Sequence, residues 1–88
     1  MFAPKENITV KIKLYGGLDR QSKIDHYNPD SGVELQMVKG VRLKKVFKAI
    51  GLRRSESVVC FINGRKAGFS EKLKNQDVVF FMRPASGG

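Results

Sequence analysis

Two glycines, Gly87 and Gly88, end the sequence shortly after Pro84. A terminal carboxylate on a residue without a Cβ is open to approach from either side. A two-glycine end also fits a channel too narrow for any other residue. The chemistry on offer is that of an acyl group activated by something outside the chain. Short polar ends are common, so the meaning of this one depends on what precedes it. Other reactive side chains are few. Cys60 lies inside an apolar run, the setting of a buried small hydrophobe and not of a nucleophile. His26 and Tyr27 fall in a stretch rich in turn formers and read as surface-loop residues. With one histidine and one cysteine far apart, no structural metal site is expected. There is no Ser/His/Asp constellation and no Gly-rich phosphate loop, so no catalytic residues are assigned.

The tail needs a rigid base, and Val78-Val-Phe-Phe-Met82 supplies the pattern of a strand. Pro84 cannot donate to a ladder and tends to end one. A flexible tail, 84–88, is therefore expected beyond it. Its four small residues, Ala85 to Gly88, span about 13–14 Å when extended.

Earlier in the chain, Ile8, Val10, Ile12 and Leu14 alternate with Thr9, Lys11, Lys13 and Tyr15, the period of a half-buried strand. Gly16-Gly17 ends it. Residues 18–32 have no clean period, and Asn28-Pro-Asp-Ser-Gly32 is strong turn chemistry. This stretch is long for a hairpin loop and reads as functional or as an ordered excursion with some strand content. Val33-Glu-Leu-Gln-Met37 alternates again, with Val33, Leu35 and Met37 inward. The period then changes: Leu43, Val46, Phe47 and Ile50 make the stripe of an amphipathic helix, stopped at Gly51. Val58 to Ile62 reads as a strand with Val58, Cys60 and Ile62 facing the helix. Asn63-Gly64 is a hairpin signal, and Arg65 to Ala67 a short return strand. Ser70 to Leu73 suggests one helical turn with Leu73 as its inward anchor. Asn75 to Asp77 turns the chain into the last strand.

This order predicts an α+β fold, a mixed sheet of four or five strands packed on one main helix, with the first and last strands as parallel neighbours. That is the ubiquitin-like β-grasp arrangement, here a single domain over 1–88. In the last strand Val79 and Phe81 then pack inward. Phe80 and Met82 face out with Phe61, next to Arg83, as an apolar patch placed to dock a partner.

Composition narrows the partners. Seventeen Lys and Arg against eight Asp and Glu give a formal charge of +9. Such a charge steers the chain towards acidic proteins, nucleic acid or anionic surfaces. Lys44, Lys45, Lys48, Arg53 and Arg54 concentrate it around the helix and its exit. A single cysteine, no signal segment and no long apolar run suggest a cytoplasmic protein without membrane contact. A monomer is expected in isolation.

Val58-Val-Cys-Phe-Ile-Asn-Gly64, Leu73-Lys-Asn-Gln-Asp77 and Pro84-Ala-Ser-Gly-Gly88 resemble the MoaD/ThiS sulfur-carrier proteins over residues 8–88. Two departures concern structure: Gln76 stands where the family usually has Gly, and 16–32 is not the usual helical connection. The resemblance implies that an ATP-dependent activating enzyme adenylates the Gly88 carboxylate, with Gly87 as a slim spacer. Sulfur from a persulfide then replaces AMP, giving a thiocarboxylate. It further implies no bound cofactor, ATP being used by the partner. A sulfur-accepting synthase or thiolase would follow, in molybdopterin, thiamine or tRNA thiolation chemistry. Two alternatives remain open. A ubiquitin-like modifier would join Gly88 to a target lysine. A basic RNA-binding module, or a tRNA contact, would use the charge; along the sequence, however, aromatics are not interleaved with Lys and Arg as base stacking requires.

Overall fold

The computed structural model describes residues 6–52 and 58–83. The elements are β1 (Asn7–Tyr15), α1 (Leu18–Gln21), β2 (Val33–Val38), α2 (Leu43–Ala49), β3 (Val59–Ile62), β4 (Arg65–Ala67) and β5 (Val78–Met82). The strands form one sheet in the order β2-β1-β5-β3-β4. β1 and β5 are parallel and every other neighbouring pair is antiparallel. This is the ubiquitin-like β-grasp arrangement.

Alternation in the strands decides which face is covered. Ile8, Val10, Ile12 and Leu14 of β1 are buried with Cys60 and Ile62 of β3 and Val79 and Phe81 of β5. The α2 stripe of Leu43, Val46, Phe47 and Ile50 closes over them. Phe47 is the hinge of this packing. It meets Phe81 edge-on at 5.3 Å between ring centroids and Phe69 at 5.0 Å, an arrangement favoured by the ring quadrupoles.

The ends of α2 follow from local chemistry. Arg42, the N-cap residue, makes no side-chain cap. Instead, Leu43 N–H donates to Glu71 O and Lys44 N–H to Phe69 O, both at 2.9 Å. Two donors that helix geometry would leave unpaired are thus satisfied by another segment. At the other end Gly51, φ 85°, donates to Lys48 O, and Leu52 N–H reaches Phe47 O. This is the paired C-terminal closure that a left-handed glycine permits.

Two expectations need correction. Ser70 to Leu73 forms no helical turn. Lys72 makes an extended bridge to Arg42, and Leu73 N–H donates to Val41 O at 2.8 Å. A turn closed by Glu71 N–H to Gly68 O at 3.2 Å, followed by the bridge at Lys72, presents the Phe69 and Glu71 carbonyls to α2, while Leu73 is still buried as an anchor. Residues 18–32 contain a four-residue helix and no strand. Leu18 of that helix is wholly buried. His26 is exposed, but Tyr27 is not a plain surface residue. Leu14 N–H donates to its hydroxyl oxygen at 2.7 Å, just past the point where β2 stops pairing with β1 at Ile12–Val33. The excursion therefore extends the sheet edge with a side chain. Burial raises the Tyr27 phenol pKa above its ordinary value.

Candidate functional site

β5 lies between β1 and β3, so the segment that leads to the terminus is held on both sides. Its register places Tyr15 beside Met82 and Lys13 beside Phe80 on one flank. Phe61 pairs with Phe80, and Val59 with Met82, on the other. A turn-level clamp fixes the start of the strand. Asn63 Nδ2 donates to Asp77 Oδ1 at 2.9 Å, Lys74 N–H to Asp77 Oδ2 at 2.8 Å, and Val78 N–H to Asn63 Oδ1 at 2.9 Å. Gln76 sits at φ 71°, a region that glycine occupies without steric cost. The position where the resemblance leads one to expect Gly thus keeps the glycine backbone with a glutamine on it.

The end of β5 needs close approach. At Gly16, φ 72°, an added Cβ would lie 2.5 Å from the Arg83 carbonyl oxygen. The glycine after β1 therefore leaves room for the chain as it departs from β5. Pro84, Gly87 and Gly88 lie outside the described residues, as do Arg53 and Arg54.

The remaining site residues fall as follows. Phe61 and Phe80 are on the open face but half-buried, Met82 is exposed, and Arg83 is half-buried. Phe80 is partly covered because Tyr15 stacks beside it, with centroids 5.8 Å apart and planes inclined by 20°. Lys13 Nζ also stands 5.8 Å from the Phe80 ring centre. Lys44, Lys45 and Lys48 are exposed and line a cavity of ≈ 450 Å³ whose wall includes Phe47 and Leu52. Cys60 is buried, and burial pushes its thiol up to about 11, away from the thiolate that sulfur chemistry requires. Among the described residues no His, Cys, Asp or Glu group could hold a metal ion. No helix there is long and apolar enough to cross a membrane.

One reading of the linear sequence changes on folding. Aromatics and lysines that are remote in the chain become neighbours across the strands. The row Lys13–Phe80–Phe61–Lys66 crosses four strands in register. Tyr15, Lys13 and Lys66 were not among the candidate site residues. Only the alternation of β1 hinted that Lys13 and Tyr15 share its outer face, and nothing local showed what lies beside them.

The ThiS family model matches residues 24–88. Among solved structures, a Pyrococcus furiosus protein assigned as molybdopterin converting factor, subunit 1, is similar in fold. It has 21% identity and a TM-score of 0.66, with 89% of this chain and 99% of that chain covered. No curated protein matches the sequence. The family match takes in α2, the hairpin, β5 and both terminal glycines, and on it the chain belongs to the ThiS family, ubiquitin-like proteins of the sulfur-carrier type.

Proposed function

We propose that the chain carries sulfur as a thiocarboxylate on Gly88. The observation that carries this reading is the family match through residue 88, which includes Gly87 and Gly88, behind a strand held on both flanks. A carboxylate is a poor acyl donor because its oxygen leaves badly. In the proposed first step the Gly88 carboxylate oxygen attacks the α-phosphorus of ATP and pyrophosphate departs. Persulfide sulfur then attacks the acyl carbon and AMP departs. Reductive release of the sulfur donor by a thiol leaves the thiocarboxylate. ATP is bound by the activating enzyme, and the chain supplies only the acyl group and the surface that presents it. A sulfur-accepting synthase is the second partner. The tail end of the open face, Met82 with the half-buried Phe80 and Phe61 and the nearby Arg83, is the proposed contact with the activating enzyme.

Intact-mass spectrometry tests the reading. The full chain is incubated with ATP, an adenylating enzyme from the same genome and a sulfur source. Exchange of one terminal oxygen for sulfur gives the expected mass increase, and cyanogen bromide or a sulfur-selective alkylating agent should consume it. If the product is instead a set of lysine-linked adducts, the modifier reading replaces this one. An unchanged mass with a competent enzyme defeats both.

A further inference from the structure

The open face of the sheet carries lysines and a tyrosine beside its phenylalanines, an addition that the carrier reading does not require. Phe80 and Phe61 pair across β5 and β3. Lys13 stands next to Phe80 on β1, and Lys66 next to Phe61 on β4. Tyr15, 41% exposed, extends the aromatic surface on the β1 side. Its ring lies nearly parallel to that of Phe80. Lys11, one step along β1 on the same face, pairs with Val78. Glu34, opposite Lys11 on β2, is the acidic residue on this part of the face.

We propose that this face binds single-stranded nucleic acid, with bases on Tyr15, Phe80 and Phe61 and phosphates on Lys11, Lys13 and Lys66. Aromatic faces stack any base, and a cationic surround follows the backbone; this pairing defines single-strand platforms built on sheets. An acidic protein partner is the competing occupant. Lysine is depleted from protein–protein interfaces, yet here one stands at each end of the aromatic row and Lys13 lies against a ring. The net charge of +9 favours a polyanion at long range. A duplex does not fit the proposal, because its bases are stacked internally and cannot lie on the rings.

The test is fluorescence anisotropy of labelled single-stranded oligouridine and oligoadenosine with the full chain at physiological salt. Binding should be saturable, and log Kd should vary with log salt with a slope of magnitude about 2, from three lysines on a single strand. Tyr15→Ala should weaken binding about five-fold or more, the cost of one lost stack. Lys13→Glu with Lys66→Glu should weaken it further. Lys44→Glu with Lys48→Glu, on the helix side, should change it little. A chain without Gly87 and Gly88 should bind as well as the full chain, which separates this site from the carrier chemistry. The proposal is overturned by absence of binding or by equal affinity for a duplex. It is also overturned if polyglutamate competes as well as RNA, or if the helix lysines matter and Tyr15 does not. Circular dichroism of each variant excludes loss of fold as the cause, and Tyr15→Phe, which keeps the ring, should restore binding.

Discussion

Asn63 Nδ2 lies 2.9 Å from Asp77 Oδ1, joining the β3–β4 turn to the start of β5. Asp77 is nearly buried and accepts a second bond from Lys74 N–H. One carboxylate thus organises the turn that aims the terminal strand. Asp77→Ala removes both acceptors from two part-buried hydrogen bonds. The expected cost is about 1.5–3 kcal/mol, the scale of a hydrogen bond to a charged group. Urea unfolding of the variant measures it. A change below about 0.5 kcal/mol, the scale of ordinary surface substitutions, would show the clamp to be incidental.

Gln76 provides a test of the opposite sign. At φ 71° its Cβ is strained, at about 1–2 kcal/mol for a non-glycine residue. Gln76→Gly removes the strain and gives back part of the gain as unfolded-state entropy. The net expectation is a stabilisation of about 0.5–1 kcal/mol. For a domain of this size that raises Tm by a few degrees, read by thermal denaturation. A fall in Tm would mean that the glutamine side chain contributes more than the strain it causes.

These two positions show what a linear reading captures. Strand alternation placed Val79 and Phe81 inward and Phe80 and Met82 outward, because side-chain direction in a strand has a period of two. The helical stripe from Leu43 to Ile50 was equally legible from its spacing. Local patterns do not encode register between strands remote in sequence. Lys13 meets Phe80 only because β1 and β5 run parallel at one particular offset. Tyr27 escaped for a similar reason: its hydroxyl serves Leu14 through a contact no turn rule contains. Ser70 to Leu73 looked helical on its own, but pairing at Arg42 and capping of α2 outweighed that preference.

Cys60 links burial to pH. Its thiol is raised from 9.0 to about 11 in the folded protein. The unfolded chain therefore loses this proton first, and between about pH 9 and 11 the unfolded state holds fewer protons. Stability falls across that window, by about 2–3 kcal/mol for a two-unit shift. Lysines titrate nearby, so the measurement is a comparison of the chain with Cys60→Ala by urea unfolding at pH 8 and at alkaline pH. The gap between the two proteins should move in favour of the alanine variant as pH rises. A constant gap would show that the thiolate is tolerated where it sits. Slow alkylation of Cys60 in the native protein, and fast alkylation in denaturant, should accompany the effect.

Gly16 tests how the chain leaves β5. A Cβ there would sit 2.5 Å from the Arg83 carbonyl in a left-handed backbone. Gly16→Ala should destabilise by about 1–3 kcal/mol and displace the segment that leads into the tail. Activation by the adenylating enzyme should fall even at temperatures where the variant is fully folded. Gly17→Ala shares the left-handed backbone but meets no atom within 4 Å. It should lose stability with little further loss of activation. Matched activation of the two variants at equal folded fraction would remove the role given to the Gly16–Arg83 approach.

Deletion of Gly88 separates the two uses proposed for this chain. Gly88 has no side chain to bury and follows a proline that tends to end the strand, so Tm and urea midpoint should match the full chain. Adenylation should nevertheless be lost, because the terminus now falls one residue short of the nucleotide, about 3.3–3.6 Å for an extended chain. An alanine added after Gly88 should block adenylation as well, since on the proposed function the carboxylate to be activated must be that of a residue without a Cβ. Binding of single-stranded RNA should survive both changes, because its contacts lie on β1, β3, β4 and β5. The measurements are ATP–pyrophosphate exchange with the adenylating enzyme and anisotropy with labelled oligouridine, made on the same preparations. Retained exchange after the deletion would end the assignment of Gly88 as the acyl-bearing residue while leaving the sheet-face proposal intact.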